Sequence, residues 1–209
     1  MIIKKTSNNL SKKKIIVIGA GNSGHIIKEA IQGNNFYAFI DNLKKNKQVI
    51  GSIKKIKQYN KFDFIISYAG DVELRKKTYE ILKKNKLNLC NSIFEKNVSI
   101  SKNAEIKKGC FIQDFSKISI NSSIDENVYI EVSCTVGSNS KIGKNSVLTN
   151  SVNLTNNVII GENCYVGTGV SVLPNIKVGN NVKIFAGEIV KVNIPNNSIF
   201  YKNKIIKNA

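Results

Sequence analysis

From Ile100 to Val190 every sixth residue is a branched aliphatic, without a miss. The series runs through Ile100, Ile118, Val136, Leu154, Val172 and Val190. Four residues after each comes a second inward-facing position, mostly small, as at Ala104, Cys110, Ser116, Ser122, Val128 and Cys134. Turn formers fill the gaps, as in Val136-Gly-Ser-Asn and Ile142-Gly-Lys-Asn. A strict six-residue period of this kind specifies a parallel β-helix. Each hexapeptide is one short strand and a turn, and three complete a triangular coil. Successive coils stack about 4.8 Å apart, so each aliphatic meets the one a full coil later. Glycine and asparagine tolerate the left-handed backbone that tight corners need. Roughly five coils fit, and they hold together only as an array. An ordinary β-sandwich would not keep register over so long a stretch.

The segment before the repeats has a different grammar. Ile15 to Ile18 reads as a buried strand. Gly19-Ala-Gly-Asn-Ser-Gly24 follows at once, then a helical stretch from His25 to Gln32 closed by Gly33. Tyr37 to Ile40 is a second strand ending in Asp41-Asn42, Lys54 to Asn60 a short helix, and Phe62 to Ser67 a third strand ending in Tyr68-Ala-Gly70. Asp71 is placed to cap a helix from Val72 to Lys84. The Gly-x-Gly-x-x-Gly turn between strand and helix lets backbone N–H groups approach an anion. Taken alone it suggests a dinucleotide site with Asp41 on a ribose. Only about eighty residues separate Lys14 from the repeats, however, which is room for one mononucleotide half. The expected fold is therefore an α/β half-Rossmann unit, binding a nucleotide diphosphate or nucleotide sugar, followed by a β-helix. The expected domains are a tail, 1–13, the α/β domain, 14–90, the β-helix, 91–195, and a C-terminal tail, 196–209.

Charge invites a nucleic-acid reading, since the net charge is +18. Arg75 is the only arginine, and the lysines are spread along the whole chain rather than gathered in a patch. Arginine is the preferred reader of phosphate and guanine, so no nucleic-acid partner is expected. A basic surface does attract anionic nucleotides and coenzyme A. No run approaches a membrane span, and the start carries no secretory core, so no membrane partner and a cytoplasmic location are expected. Cys90, Cys110, Cys134 and Cys164 show no zinc spacing; three occupy the small inward position, and neither a metal nor a disulfide framework is expected.

This order of parts resembles the hexapeptide-repeat sugar acyltransferases: the sialic-acid-type O-acetyltransferases together with the UDP-4-amino-4,6-dideoxy-sugar N-acetyltransferases. The resemblance runs from Ile15 to about Pro195. It rests on Gly19-Ala-Gly-Asn-Ser-Gly-His25, Asp41-Asn42, Gly70 before Glu-Leu-Arg-Lys-Lys, and above all Ile160-Gly-Glu-Asn-Cys-Tyr-Val-Gly-Thr-Gly-Val-Ser-Val-Leu-Pro174. It implies a left-handed β-helix, a homotrimer, acetyl-CoA bound between neighbouring helices, and a UDP-amino sugar held by the N-terminal domain. By position it implies nucleotide-sugar contacts at Ser23, Gly24, His25, Asp41, Asn42 and Gly70. It implies coenzyme contacts at Val147, Thr168 and Ala186.

One departure stands out. The family's catalytic histidine-glutamate pair falls on Ser138 and Asn139, and neither is a base near neutral pH. A second family histidine falls on Val147, and the usual C-terminal Gly-x-Pro-Ala segment is replaced by Phe200-Tyr-Lys-Asn. His25, the single histidine, reads as a substrate contact. Three readings are open. The first is an N-acetyltransferase of a UDP-4-amino-4,6-dideoxy sugar such as UDP-viosamine, working by positioning, with backbone N–H groups or Ser138 on the oxyanion and Glu131 as a candidate substitute proton acceptor. The second is a nucleotide-sugar or CoA-binding subunit without catalysis, and the third a structural platform. An O-acetyltransferase would suffer more from the missing base, because a hydroxyl must be deprotonated.

Overall fold

In a computed structural model, residues 13–31 and 35–207 are described. Most of the expected N-terminal tail lies outside them, as do Gln32 and Gly33. Four parallel strands form the first sheet: β1 (Ile15–Ile18), β2 (Phe36–Ile40), β3 (Val49–Gly51) and β4 (Asp63–Ile66), in the order β3-β2-β1-β4. Helix α1 (Asn22–Ala30) starts one turn earlier than the periodicity suggests, directly on the glycine turn. A 3₁₀ helix (Ile53–Tyr59) precedes β4, and α2 (Val72–Lys84) follows it with the Asp71 side chain accepting from the Leu74 N–H. Strand β3 was not expected; its three residues are too short a run to show a period.

The alternation of β1 and β4 divides this sheet into two faces. Ile16, Ile18, Phe64 and Ile66 pack with Ile56, Tyr79 and Leu82 of the flanking helices. Ile15, Val17, Phe39 and Ile65 pack with Ile27 of α1 and with Phe111, Tyr129 and Val147 of the repeats. One hydrophobic core therefore joins the two halves of the chain.

From Ile93 onward two-residue strands stack in parallel with an eighteen-residue register, as in Tyr129↔Val147 and Ile130↔Leu148. They form the three faces of a left-handed β-helix. The first face holds Phe111–Ile112, Tyr129–Ile130, Val147–Leu148, Tyr165–Val166 and Lys183–Ile184. The second holds Thr135–Val136 and its stacking partners, and the third Lys141–Ile142 and its partners. Every aliphatic of the period from Ile112 to Val190 is buried. The small inward residues satisfy themselves: Cys134 Sγ lies 3.0 Å from the Thr149 carbonyl, and Ser140 Oγ donates to Thr155 at 2.8 Å. That is why serine and cysteine are tolerated inside.

The three edges differ chemically. Corners between the second and third faces carry Asn121, Asn139, Asn157 and Asn175 at positive φ, and those between the third and first carry Asn127, Asn145, Asn163, Asn181 and Asn197. The edge between the first and second faces instead uses Phe115, Ser133, Ser151, Gly169 and Gly187. Within the expected C-terminal tail, strands Ser198–Tyr201 and Lys204–Lys207 form an antiparallel hairpin that extends the first face. Among the described residues no helix is long and apolar enough to cross a membrane.

Candidate functional site

The connections reverse direction between β1 and β4, so the carboxyl ends of these strands bound the crevice where ligands of open parallel sheets bind. The turn after β1 forms one wall. Gly19 has φ +103°, and a side chain there would strike Ser67 and Tyr68. Gly24 touches the carbonyl of Gly19 so closely that a Cβ would lie 2.0 Å from it. Gly21, by contrast, faces open space with no atom within 4 Å of where its Cβ would stand. The first turn of α1 has no acidic residue and no side-chain cap, and the first N–H groups of a helix have no intrahelical partner.

Asp41 supports this turn from β2. One oxygen accepts from the Ala20 N–H at 2.7 Å, and the other from Leu43 and Lys44 at 2.8 and 2.9 Å. Burial alone would raise this carboxyl. The three N–H donors, helped by the Lys44 charge, outweigh burial and hold it below the ordinary carboxylate range. Asn42 likewise turns inward, accepting from the Ile53 N–H at 3.1 Å. Both residues shape the crevice more than they line it. Ser23 hydrogen-bonds Tyr129 of the β-helix, whose phenol is pushed well up by burial. His25 is exposed on α1, its ring 4.9 Å from that of Phe39.

Tyr68, which sequence reasoning passed over, is the more informative neighbour. It stands half-buried beside Gly19, and burial with the charges of Asp41 and Asp71 pushes its phenol up to about 12. It therefore stays a neutral O–H donor at the crevice mouth. Its trace in the sequence is Tyr68-Ala-Gly70, a tyrosine at the carboxyl end of a strand.

Beyond Gly70 the crevice opens into a cleft of about 710 Å³ between α2 and the β-helix. Its walls include Gly70 and Lys76 on one side and Tyr165, Thr168, Lys183 and Ala186 on the other. Gly70, read as a nucleotide-sugar contact, thus shares one cleft with Thr168 and Ala186, read as coenzyme contacts. Val147 does not join them. Its side chain is fully buried under the N-terminal sheet, which leaves it no surface for a coenzyme.

The two proton-handling candidates part company. Ser138 and Asn139 occupy a corner between the second and third faces. There the Ser138 N–H donates to Asn156 at 3.0 Å, and Asn139 accepts from Asn121 at 3.3 Å. Glu131 lies on the edge that also carries Thr168. Its carboxylate accepts from the Asn150 N–H at 3.1 Å, and Thr149 Oγ1 is 3.2 Å from Thr168 Oγ1. Burial raises the Glu131 carboxyl, opposed by that N–H. A raised carboxyl is a stronger proton acceptor than an ordinary one.

No protein-family model and no curated protein sequence matches the chain. Solved structures do. The acetyltransferase domain of PglB from Neisseria gonorrhoeae, in complex with acetyl coenzyme A, is 20% identical with a TM-score of 0.82, covering 95% of this chain and 100% of that one. PerB from Caulobacter crescentus, in complex with CoA and GDP-perosamine, is 19% identical with a TM-score of 0.81, covering 94% of this chain and 98% of that one. A variant of the Caulobacter GDP-perosamine N-acetyltransferase with one histidine replaced by alanine, also in complex with CoA and GDP-perosamine, is 18% identical with a TM-score of 0.79, covering 96% of this chain and 99% of that one. The fold of this chain, both halves included, is the fold of these acetyltransferases.

Proposed function

We propose that this chain is an acetyl-CoA-dependent N-acetyltransferase acting on the amine of a nucleotide-linked amino sugar. The finer form of the reading is a UDP-4-amino-4,6-dideoxy sugar such as UDP-viosamine, a homotrimer, and a place in the cytoplasm, whose reducing conditions suit four free buried thiols. One observation carries the proposal: Gly70, Thr168 and Ala186 line one cleft at the carboxyl end of a half-Rossmann sheet, in the fold of proteins captured with CoA and a nucleotide amino sugar.

The chemistry fits the residues present. A neutral amine adds to the thioester carbonyl, the oxyanion collapses, the coenzyme thiolate leaves and the new amide nitrogen sheds its proton. An amine needs no prior deprotonation beyond its own equilibrium, so positioning supplies much of the acceleration. Backbone N–H groups along the Gly-rich edge can receive the oxyanion. Glu131 is the proton acceptor on that edge. Ser138 and Asn139 reach a cleft of this kind only if a second copy brings its own corner against it, as a trimer would. The Caulobacter variant binds both ligands with one histidine removed, which supports ligand binding without a histidine here. The corner hydrogen bond that engages the Asn139 amide oxygen favours the second reading, a binding subunit without turnover.

The test is thiol release from acetyl-CoA with a panel of UDP- and GDP-linked amino sugars, from about pH 6 to 9. Turnover that climbs with the free-amine fraction is the expected result. Absence of release with every acceptor, alongside measurable nucleotide-sugar binding, leaves the binding subunit.

A further inference from the structure

The cleft carries two lysines that the proposed reaction does not itself demand. Four charged side chains line it: Asp71, Glu73, Lys76 and Lys183. Both carboxylates are engaged elsewhere. Asp71 accepts from the Leu74 N–H at 2.8 Å as the cap of α2, and Glu73 turns to Lys77 at 3.5 Å. Neither Lys76 nor Lys183 has an ion-pair partner among the described residues. The Lys183 ammonium is instead held over aromatic faces, 4.9 Å from the Phe185 centroid and 5.8 Å from that of Tyr165. A cation placed in this way is partly ordered before any ligand arrives. The Asn163 and Asn181 amides bond their neighbours at 3.0 and 2.8 Å in the corner ladder. Two cations with no ion-pair partner among the described residues and two aromatic rings thus share a space of about 710 Å³, within the size range of small-molecule and cofactor pockets.

We infer that Lys76 and Lys183 form a phosphate subsite for a nucleoside-bearing ligand, with Phe185 and Tyr165 as its aromatic wall. The inference rests on the proposed cleft and names residues that the carry-over by position did not. Two sources present the same chemistry, the diphosphate of a nucleotide sugar and the phosphates of coenzyme A.

Calorimetric titration of UDP, uridine and CoA into the full chain tests it, with Lys76→Met, Lys183→Met and the charge-keeping Lys183→Arg, each first checked for an unchanged melting temperature. Loss of a charge-assisted phosphate contact is expected to weaken binding about tenfold or more in both methionine variants, with uridine unaffected and Lys183→Arg close to wild type. The salt dependence of binding is expected to flatten in the same variants. A loss confined to UDP assigns the subsite to the nucleotide sugar, and one confined to CoA assigns it to the coenzyme. Variants that bind both ligands within about twofold of wild type overturn the subsite while leaving the proposed function standing. A wild-type chain that binds neither ligand overturns both.

Discussion

Arg75 grips Asn127 twice, Nε donating to its backbone carbonyl and Nη2 to its side-chain Oδ1, each at 2.9 Å. The same guanidinium donates to the Ile66 and Tyr68 carbonyls at the end of β4, and lies 5.5 Å from the Tyr129 ring centroid. The chain's one arginine is fully buried, and burial pulls its pKa down to about 10, still charged at neutral pH. Only a planar fork reaches acceptors in both halves of the protein at once, which separates this position from every lysine in the chain. Arg75→Ala is expected to lose roughly 3 kcal/mol or more by urea denaturation, because the freed carbonyls stay buried. Arg75→Lys is expected to restore only a minor part. A loss below about 1 kcal/mol in the alanine variant would show that the two halves do not depend on this contact.

Asn127 in turn starts a ladder. Its Nδ2 donates to Asn145, Asn145 to Asn163, Asn163 to Asn181 and Asn181 to Asn197, at 2.8 to 3.0 Å. Asn145 sits buried in the middle with φ +62°. Asn145→Gly keeps the backbone and loses the amide, whereas Asn145→Ala loses both. The glycine variant is expected to cost about 1–2 kcal/mol and the alanine variant about 1 kcal/mol more. Equal losses in the two would mean that the left-handed corner is not strained.

The glycine turn offers a separation of folding from binding. Gly24→Ala forces a Cβ into the Gly19 carbonyl and is expected to destabilise by about 2 kcal/mol. Gly21→Ala meets nothing within 4 Å and is expected to leave stability within about 0.5 kcal/mol. It is nevertheless expected to weaken UDP binding at least tenfold, because a methyl group blocks close approach to the backbone. Unchanged UDP affinity in Gly21→Ala would reduce the turn to a packing feature.

Glu131 links pH to both stability and rate. Its folded pKa is raised by burial, so the charged form is disfavoured on folding and its cost is present above the folded pKa. Glu131→Gln is thus expected to unfold at slightly higher urea than wild type at pH 7, the difference closing as pH falls through the Glu131 pKa. As proton acceptor, its removal is expected to lower turnover at least tenfold. A variant with full turnover leaves positioning as the whole mechanism.

The thiols are inert by burial. Cys134 is pushed up to about 12 and Cys110 and Cys164 to about 11, so at neutral pH they carry almost no thiolate. Ellman's reagent is expected to find no reactive thiol in the native protein and four after unfolding. Fast native labelling would contradict the packed interior.

Gly70, Thr168 and Ala186, which the resemblance implies by position, line one cleft, whereas Val147 is buried against the N-terminal sheet. The separation has a cause. The outward column of the first face looks the same in sequence whether solvent or another domain covers it, and here the N-terminal sheet covers it. Tyr68 and β3 were passed over because a lone tyrosine after a strand and a three-residue strand leave no periodic trace.

The β-helix, its register and its corners are legible residue by residue, because these features are local: a hexapeptide's inward aliphatic and its left-handed asparagine act on the next coil whatever else the chain does. The strand–glycine–helix unit is legible for the same reason. Long-range packing sets which edge faces the crevice, which carboxylates are already engaged, and that the one arginine is a buried lock between the halves. Those depend on how the N-terminal sheet packs on one face of the solenoid, through contacts between residues far apart in the chain that no period records.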